Sequence, residues 1–135
     1  MPGGRHQFIL GLVVRQMRES GFRVFCVDGR FVGKLGEEVR IPPRILHHRP
    51  DALGLSLGGV LCIGEAKTES DIGTRRTRRQ IQDFVGLDFN DQACQVILGV
   101  PRTSEEAVKR LLAQLDIAGS PNLHVLYVPE EIINE

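Results

Sequence analysis

Two short segments carry side chains whose types and spacing could do chemistry: Pro50-Asp51, and Glu65-Ala66-Lys67 at the end of the apolar run Val60-Leu61-Cys62-Ile63-Gly64. Charged residues in such a run need an explanation, because burying a charge without compensation is costly. Strand side chains alternate, so Glu65 and Lys67 share a face with Leu61 and Ile63. If a hairpin brings Asp51 and Glu65 together, the two carboxylates repel unless a cation lies between them. Ligation by oxygen alone, with positions left open, suits Mg²⁺, or Mn²⁺ in its place. Lys67 beside that metal would stabilise charge on a phosphate in the transition state or help position the attacking water. The Glu-x-Lys spacing alone says little: with each residue at about 6% of an average chain, it arises by chance in roughly half of chains this long. Its weight comes from position, at the end of a strand that follows Pro-Asp on the strand before. The plainer alternative is a strand end emerging into solvent with a surface Glu/Lys pair.

Opposed residues on paired strands point to the same face. A two-residue turn at Gly58-Gly59 would pair Leu57 with Val60 and oppose Asp51 to Ala66, turning Asp51 away from Glu65 and Lys67. A three-residue loop, or a bulge near Gly54, brings Asp51 to their side. The metal site therefore predicts an odd-length loop or a bulge in this hairpin.

The elements that must position these residues follow from periodicity. Phe8, Ile9, Leu12, Val13 and Met17 fall on one helical face across residues 6–20, and Gly21 suits the residue just past the helix end. Residues 22–27 read as a buried strand. Residues 28–43, rich in Gly and charge, read as a loop with a short strand near 30–35. Residues 44–57 and 60–67 read as two strands around Leu57-Gly58-Gly59-Val60, a hairpin signal. A polar loop, residues 68–73, precedes a helix over 74–86 with Ile81, Phe84 and Val85 as its apolar stripe. Residues 95–100 form the next strand, stopped by Pro101. Ser104 is placed to cap a third helix, buried through Ala107, Val108, Leu111, Leu112 and Leu115 and ended by Gly119. Residues 123–128 are the last strand. The order α-β-β-β-α-β-α-β calls for an antiparallel hairpin in the middle and parallel, right-handed crossovers at the end. A mixed sheet of four to five strands with helices on both faces is expected, in a single domain over residues 1–135.

With Pro50-Asp51, Glu65-Ala66-Lys67 and this order of elements over roughly residues 6–100, the chain resembles the PD-(D/E)xK, or restriction-endonuclease-like, nuclease superfamily. The resemblance implies that Asp51 and Glu65 bind a divalent metal, Mg²⁺ or Mn²⁺, and that Lys67 assists phosphodiester hydrolysis. Many members carry a Gln on the following helix, in a Q-x-x-x-Y arrangement in RecB-type nucleases. Gln80-Ile81-Gln82-Asp83-Phe84 is similar, with Phe for Tyr, which makes Gln80 a fourth site residue. The short format resembles archaeal Holliday-junction resolvases and other single-domain members. Many relatives also place a Glu near the middle or start of the first helix as a further metal ligand. Here that helix has only Glu19, at its far end, so His6 or Gln7 would substitute, or the site holds one metal.

Charge distribution bears on the partner. The chain has 135 residues, 41% apolar and 25% charged, and 17 Lys+Arg balance 17 Asp+Glu. Residues 1–50 hold 9 basic and 4 acidic side chains, residues 51–90 hold 5 and 6, and residues 91–135 hold 3 and 7. Neutrality overall thus leaves room for a basic face. Arg75, Arg76, Arg78 and Arg79 crowd the start of a helix, the unfavourable pole for cations. They read either as a solvated end relieved by Asp71 and an Arg79–Asp83 pair, or as a phosphate clamp beside the scissile bond. His47 and Arg49, alternating with Asp51, are further candidates for phosphate contact.

The expected function is metal-dependent nucleic-acid cleavage, of DNA ahead of RNA, without strong sequence specificity, since nothing in the chain reads bases. The alternative is a non-catalytic nucleic-acid-binding or regulatory subunit on the same fold. The apolar last strand and third helix complete the core or supply a homodimer face. Cys26, Cys62 and Cys94 stand singly in apolar runs, as buried thiols do in a reducing compartment. No signal peptide or membrane span is visible, so a cytoplasmic protein without a membrane partner is expected.

Overall fold

Helix α1 (Gly4–Glu19) forms where the apolar spacing requires it, burying Ile9, Leu10, Val13, Val14 and Met17. Gly21, at φ +93°, closes it: the Gly21 N–H bonds to the Arg18 carbonyl and the Phe22 N–H to the Met17 carbonyl. The computed structural model describes residues 3–28 and 40–133; the expected short strand near 30–35 lies outside the described residues. Strands β1 (Arg23–Val27), β2 (Ala52–Leu55) and β3 (Leu61–Ala66) follow. Helices α2 (Glu69–Ile72) and α3 (Arg75–Val85), a short hairpin of β4 (Asp88–Phe89) and β5 (Gln92–Ala93), and β6 (Gln95–Pro101) come next. The chain continues through α4 (Glu105–Gln114), β7 (Leu123–Val128) and α5 (Glu130–Ile133).

Among the described residues, the main sheet has five strands in the order β1-β2-β3-β6-β7. Pairing is antiparallel from β1 to β3 and parallel from β3 to β7. Helices cover both faces, so the mixed α/β architecture and the order of its principal elements are as expected. On one face, α1 lies against Gly54, Gly64 and Gly99, where no Cβ keeps the helix at a distance. On the other face, Phe84 of α3 joins Leu53, Leu61, Ile63 and Val96 in one cluster, and Val108, Leu111 and Leu112 of α4 join Leu98 and Val100 in another.

The hairpin that matters for the site has an odd connection. Leu55 pairs with Leu61, leaving residues 56–60 as the turn, and the same register brings Asp51 opposite Glu65. Ser56 organises the turn: its N–H bonds to the Val60 carbonyl at 3.0 Å, and its Oγ accepts the Val60 N–H at 3.0 Å.

Several expectations are corrected. Residues 44–50 are no strand: Ile45 and His48 bridge across a tight turn in which Leu46 and His47 take positive φ. Pro42, Pro43 and Pro50 withhold the N–H groups that a continuing ladder needs. Alternation from His47 through Arg49 to Asp51 therefore does not hold. The expected loop 68–73 contains α2, whose Thr68 and Asp71 form a reciprocal capping box. Ser104 ends a 3₁₀ turn (Arg102–Ser104) and its side chain makes no capping bond; α4 stops at Gln114, short of Gly119. Among the described residues, no helix is long and apolar enough to cross a membrane.

Candidate active site

Where β2 begins and β3 ends, two carboxylates are tied together through the backbone. The Asp51 N–H donates to Glu65 Oε2 at 2.6 Å, and the Ala66 N–H donates to Asp51 Oδ2 at 2.8 Å. Glu65 is 2% exposed, at the edge of the layer that Ile63 and Phe84 fill. Burial pushes its carboxyl well above the usual range, and the negative charge of Asp51 adds to that push; Lys67 and the Asp51 N–H oppose it.

Lys67 lies just past β3, held by its N–H to the Gly99 carbonyl at 2.9 Å. Its Nζ is 3.7 Å from Glu65 Oε1 and donates to Gln80 Oε1. Gln80 is buried on the inner face of α3, with Thr77, Ile81 and Phe84. Thr74 caps that helix, its Oγ1 accepting the Thr77 N–H at 3.2 Å. Two strands and one helix thus bring Asp51, Glu65, Lys67 and Gln80 together.

The N-terminal turn of α1 adds two more groups. His6 Nε2 is 3.2 Å from Asp51 Oδ2, and Gln7 Nε2 is 3.4 Å from His6 Nδ1. Burial works to lower the His6 pKa, but the hydrogen bond to Asp51 and the charges of Asp51 and Asp71 outweigh burial and Lys67, and the net shift is upward. The sequence held His6 and Gln7 open as replacements for a first-helix Glu; periodicity gives no sign that the first turn reaches the start of β2.

The residue types fit a hard divalent cation. Among the described residues no group of three or more His, Cys, Asp or Glu side chains is arranged to hold a metal, so the site is a carboxylate pair and not a closed cage. A pair is what Mg²⁺ takes when water and phosphate oxygens complete its shell. Asp51 and Glu65 are the two residues that would hold it.

The basic candidates stand apart from this group. Arg75, Arg76 and Arg79 are exposed on the first turns of α3, and none is hydrogen-bonded to the four central residues. Arg78 instead reaches Gln114 Oε1 of α4 at 2.8 Å. His47 and Arg49 are exposed on the turn before Asp51. Asp83 does not pair with Arg79: its Oδ2 meets His48 Nε2 at 2.7 Å, while the His48 ring stands edge-on to Phe84 at 5.6 Å between centroids. That contact fastens the turn carrying Asp51 to the helix carrying Gln80. Nothing in the spacing of His48 and Asp83 could have revealed it.

No family model matches the chain, and no curated protein matches it. Among solved structures, one described as the crystal structure of a repair endonuclease from Pyrococcus abyssi aligns with a TM-score of 0.47 and 14% identity, over 96% of this chain and 48% of that one. This chain therefore spans about half the length of that protein.

Proposed function

We propose that this chain is a metal-dependent nuclease of the PD-(D/E)xK kind, hydrolysing phosphodiester bonds of DNA in preference to RNA. The observation that carries the reading is the pairing of Asp51 with a fully buried Glu65 beside Lys67, at strand ends where folding alone gives no reason for charge. Asp51 and Glu65 hold Mg²⁺ or Mn²⁺, which when bound polarises the phosphate and activates water. Lys67 faces the reacting phosphate and offsets the charge that develops on its oxygens. Gln80 fixes the Lys67 ammonium by accepting a hydrogen bond from it. Arg75, Arg76 and Arg79 on α3, with Arg49 and His47 on the facing turn, contact flanking phosphates, and Arg supplies forked donors suited to them. Contacts of this type carry no sequence information and weaken as salt rises.

A second reading, a nucleic-acid-binding subunit that does not cleave, is favoured by one observation: the first helix brings His6 to Asp51 where a third carboxylate would complete a larger site. Linear, branched and single-stranded DNA and RNA, each incubated with Mg²⁺, Mn²⁺ or chelator, separate the two. The nuclease reading expects metal-dependent products that disappear in Asp51→Ala and Lys67→Ala while binding persists. Binding without products from the unaltered protein supports the second reading, and unaltered cleavage in both variants overturns the assigned site.

A further inference from the structure

The two edges of the five-stranded sheet are treated differently by the fold. Edge strand β1 is blunted in three ways: it starts with Arg23, its pairing with β2 is bulged between Val24 and Cys26, and Arg40 bridges its outer side, with Val27 N–H to the Arg40 carbonyl at 2.8 Å and Arg40 N–H to the Phe25 carbonyl at 3.0 Å. These are the usual protections against strand addition. Among the described residues, edge strand β7 has none of them. It is six residues long, unbulged against β6, and its sequence Leu-His-Val-Leu-Tyr-Val contains no Lys, Arg, Asp, Glu or Pro.

The direction of its backbone groups can be read from one bond. The Asn122 carbonyl accepts the Val96 N–H at 2.8 Å, so it points to β6. By alternation His124, Leu126 and Val128 turn their backbone groups to β6, and Leu123, Val125 and Tyr127 turn theirs outward. The Leu123 N–H agrees, closing a local turn on the Ser120 carbonyl at 3.2 Å. Side chains tell the same story: β6 is buried along nearly its whole length, whereas Leu123, Val125, Leu126 and Tyr127 stay only half-buried. Helix α1 leaves a groove of about 610 Å³ beside the strand, lined by Phe22, Val60, Ile97, His124 and Leu126 among others.

We propose that β7 pairs antiparallel with β7 of a second copy of this chain, on a two-fold axis through Val125. The outward groups are self-complementary about that point. Val125 exchanges both of its hydrogen bonds with the partner's Val125, and each Tyr127 N–H donates to the partner's Leu123 carbonyl. A two-fold axis perpendicular to the sheet keeps the α1 faces on one side, so His124 lies opposite the partner's Leu126 over the groove, and Leu123 opposite the partner's Tyr127 under α4. Charge does not keep the copies apart. On α4 two acidic residues, Glu105 and Glu106, balance two basic ones, Lys109 and Arg110, with Lys109 and Glu105 paired at 3.0 Å; on α1, Arg15 pairs with Glu19 at 3.0 Å and Arg5 with Glu69 at 2.8 Å. One strand and its side chains make a small interface, so the dimer is reversible. This inference is independent of the nuclease reading.

Sedimentation equilibrium over micromolar to sub-millimolar concentrations, combined with cysteine cross-linking, tests it. The unaltered chain is expected to reach twice the monomer mass, and Val125→Pro, which removes one outward N–H and no bond to β6, is expected to stay monomeric with an unchanged circular dichroism spectrum. Should Val125→Pro unfold, cross-linking decides. A hydrogen-bonded antiparallel pair has Cα atoms about 5.5 Å apart, within disulfide range. Val125→Cys should therefore form a disulfide-linked dimer under mild oxidation, and Leu126→Cys should not; Cys26, Cys62 and Cys94 are buried and give little background. A monomer at every concentration, or equal cross-linking at both positions, overturns the proposal, the first outcome leaving the edge to a strand from another protein.

Discussion

At the turn end of the β2–β3 hairpin, polar groups are answered by near neighbours. Ser56 closes the turn with its own backbone and hydroxyl, and Asn90 and Gln92 of the β4–β5 hairpin donate to the Gly59 and Gly58 carbonyls. At the other end of the same two strands, Asp51, Glu65 and Lys67 crowd together, with Glu65 out of contact with water. The first end looks as folding alone would make it. The second carries a desolvated carboxylate beside another, which lowers stability unless a cation joins them. The difference teaches where to look for function: at the end whose chemistry the fold does not need.

Four measurements sharpen or break that contrast, beginning with the largest effect. Between the two ends, burial and the neighbouring Cys94 push the Cys62 thiol up to about 12. The raised folded value means that stability is intact below the unfolded pKa, near 9, and falls as pH climbs from there toward 12. Alkylation of native Cys62 at pH 8.5 should be about 10³-fold slower than that of an unfolded thiol, followed by mass spectrometry of the labelled peptide. Rapid labelling would mean that the start of β3 is open to water. Gly64→Ala comes next: its Cβ would lie 2.7 Å from Met17 Sδ and 2.9 Å from Val13 Cγ1, so urea unfolding should show a loss of about 2–3 kcal/mol.

Glu65→Gln keeps the shape and the acceptor for the Asp51 N–H while removing the buried charge. It should raise metal-free stability by roughly 1–2 kcal/mol, whereas a loss of stability would mean that the ionised group is already well compensated. Smallest is Ser56→Ala at the turn end, costing about 0.5–1 kcal/mol through the lost bond to the Val60 N–H and leaving cleavage unchanged.

Much of this arrangement was legible in the residues. Apolar spacing located α1, α3 and the five main strands, and the requirement that Asp51 and Glu65 share a face anticipated an odd turn, found as residues 56–60. What escaped were features decided by other forces. Residues 44–50 read as the start of the strand that leads into Asp51, yet the flanking prolines break the ladder and the chain turns back at His47. The short elements α2, β4, β5 and α5 have too few residues for a period to show. Contacts such as His6 with Asp51, or His48 with Asp83, join residues 45 and 35 positions apart and depend on the completed fold.

Calorimetric titration of Mn²⁺ into the metal-free protein, the Asp51→Asn variant and the Glu65→Gln variant tests the central claim most directly. Binding by the unaltered chain, lost or strongly weakened in both folded variants, is the result that a shared carboxylate site requires. Equal binding in all three would place the cation elsewhere and leave Asp51 and Glu65 without the role assigned to them.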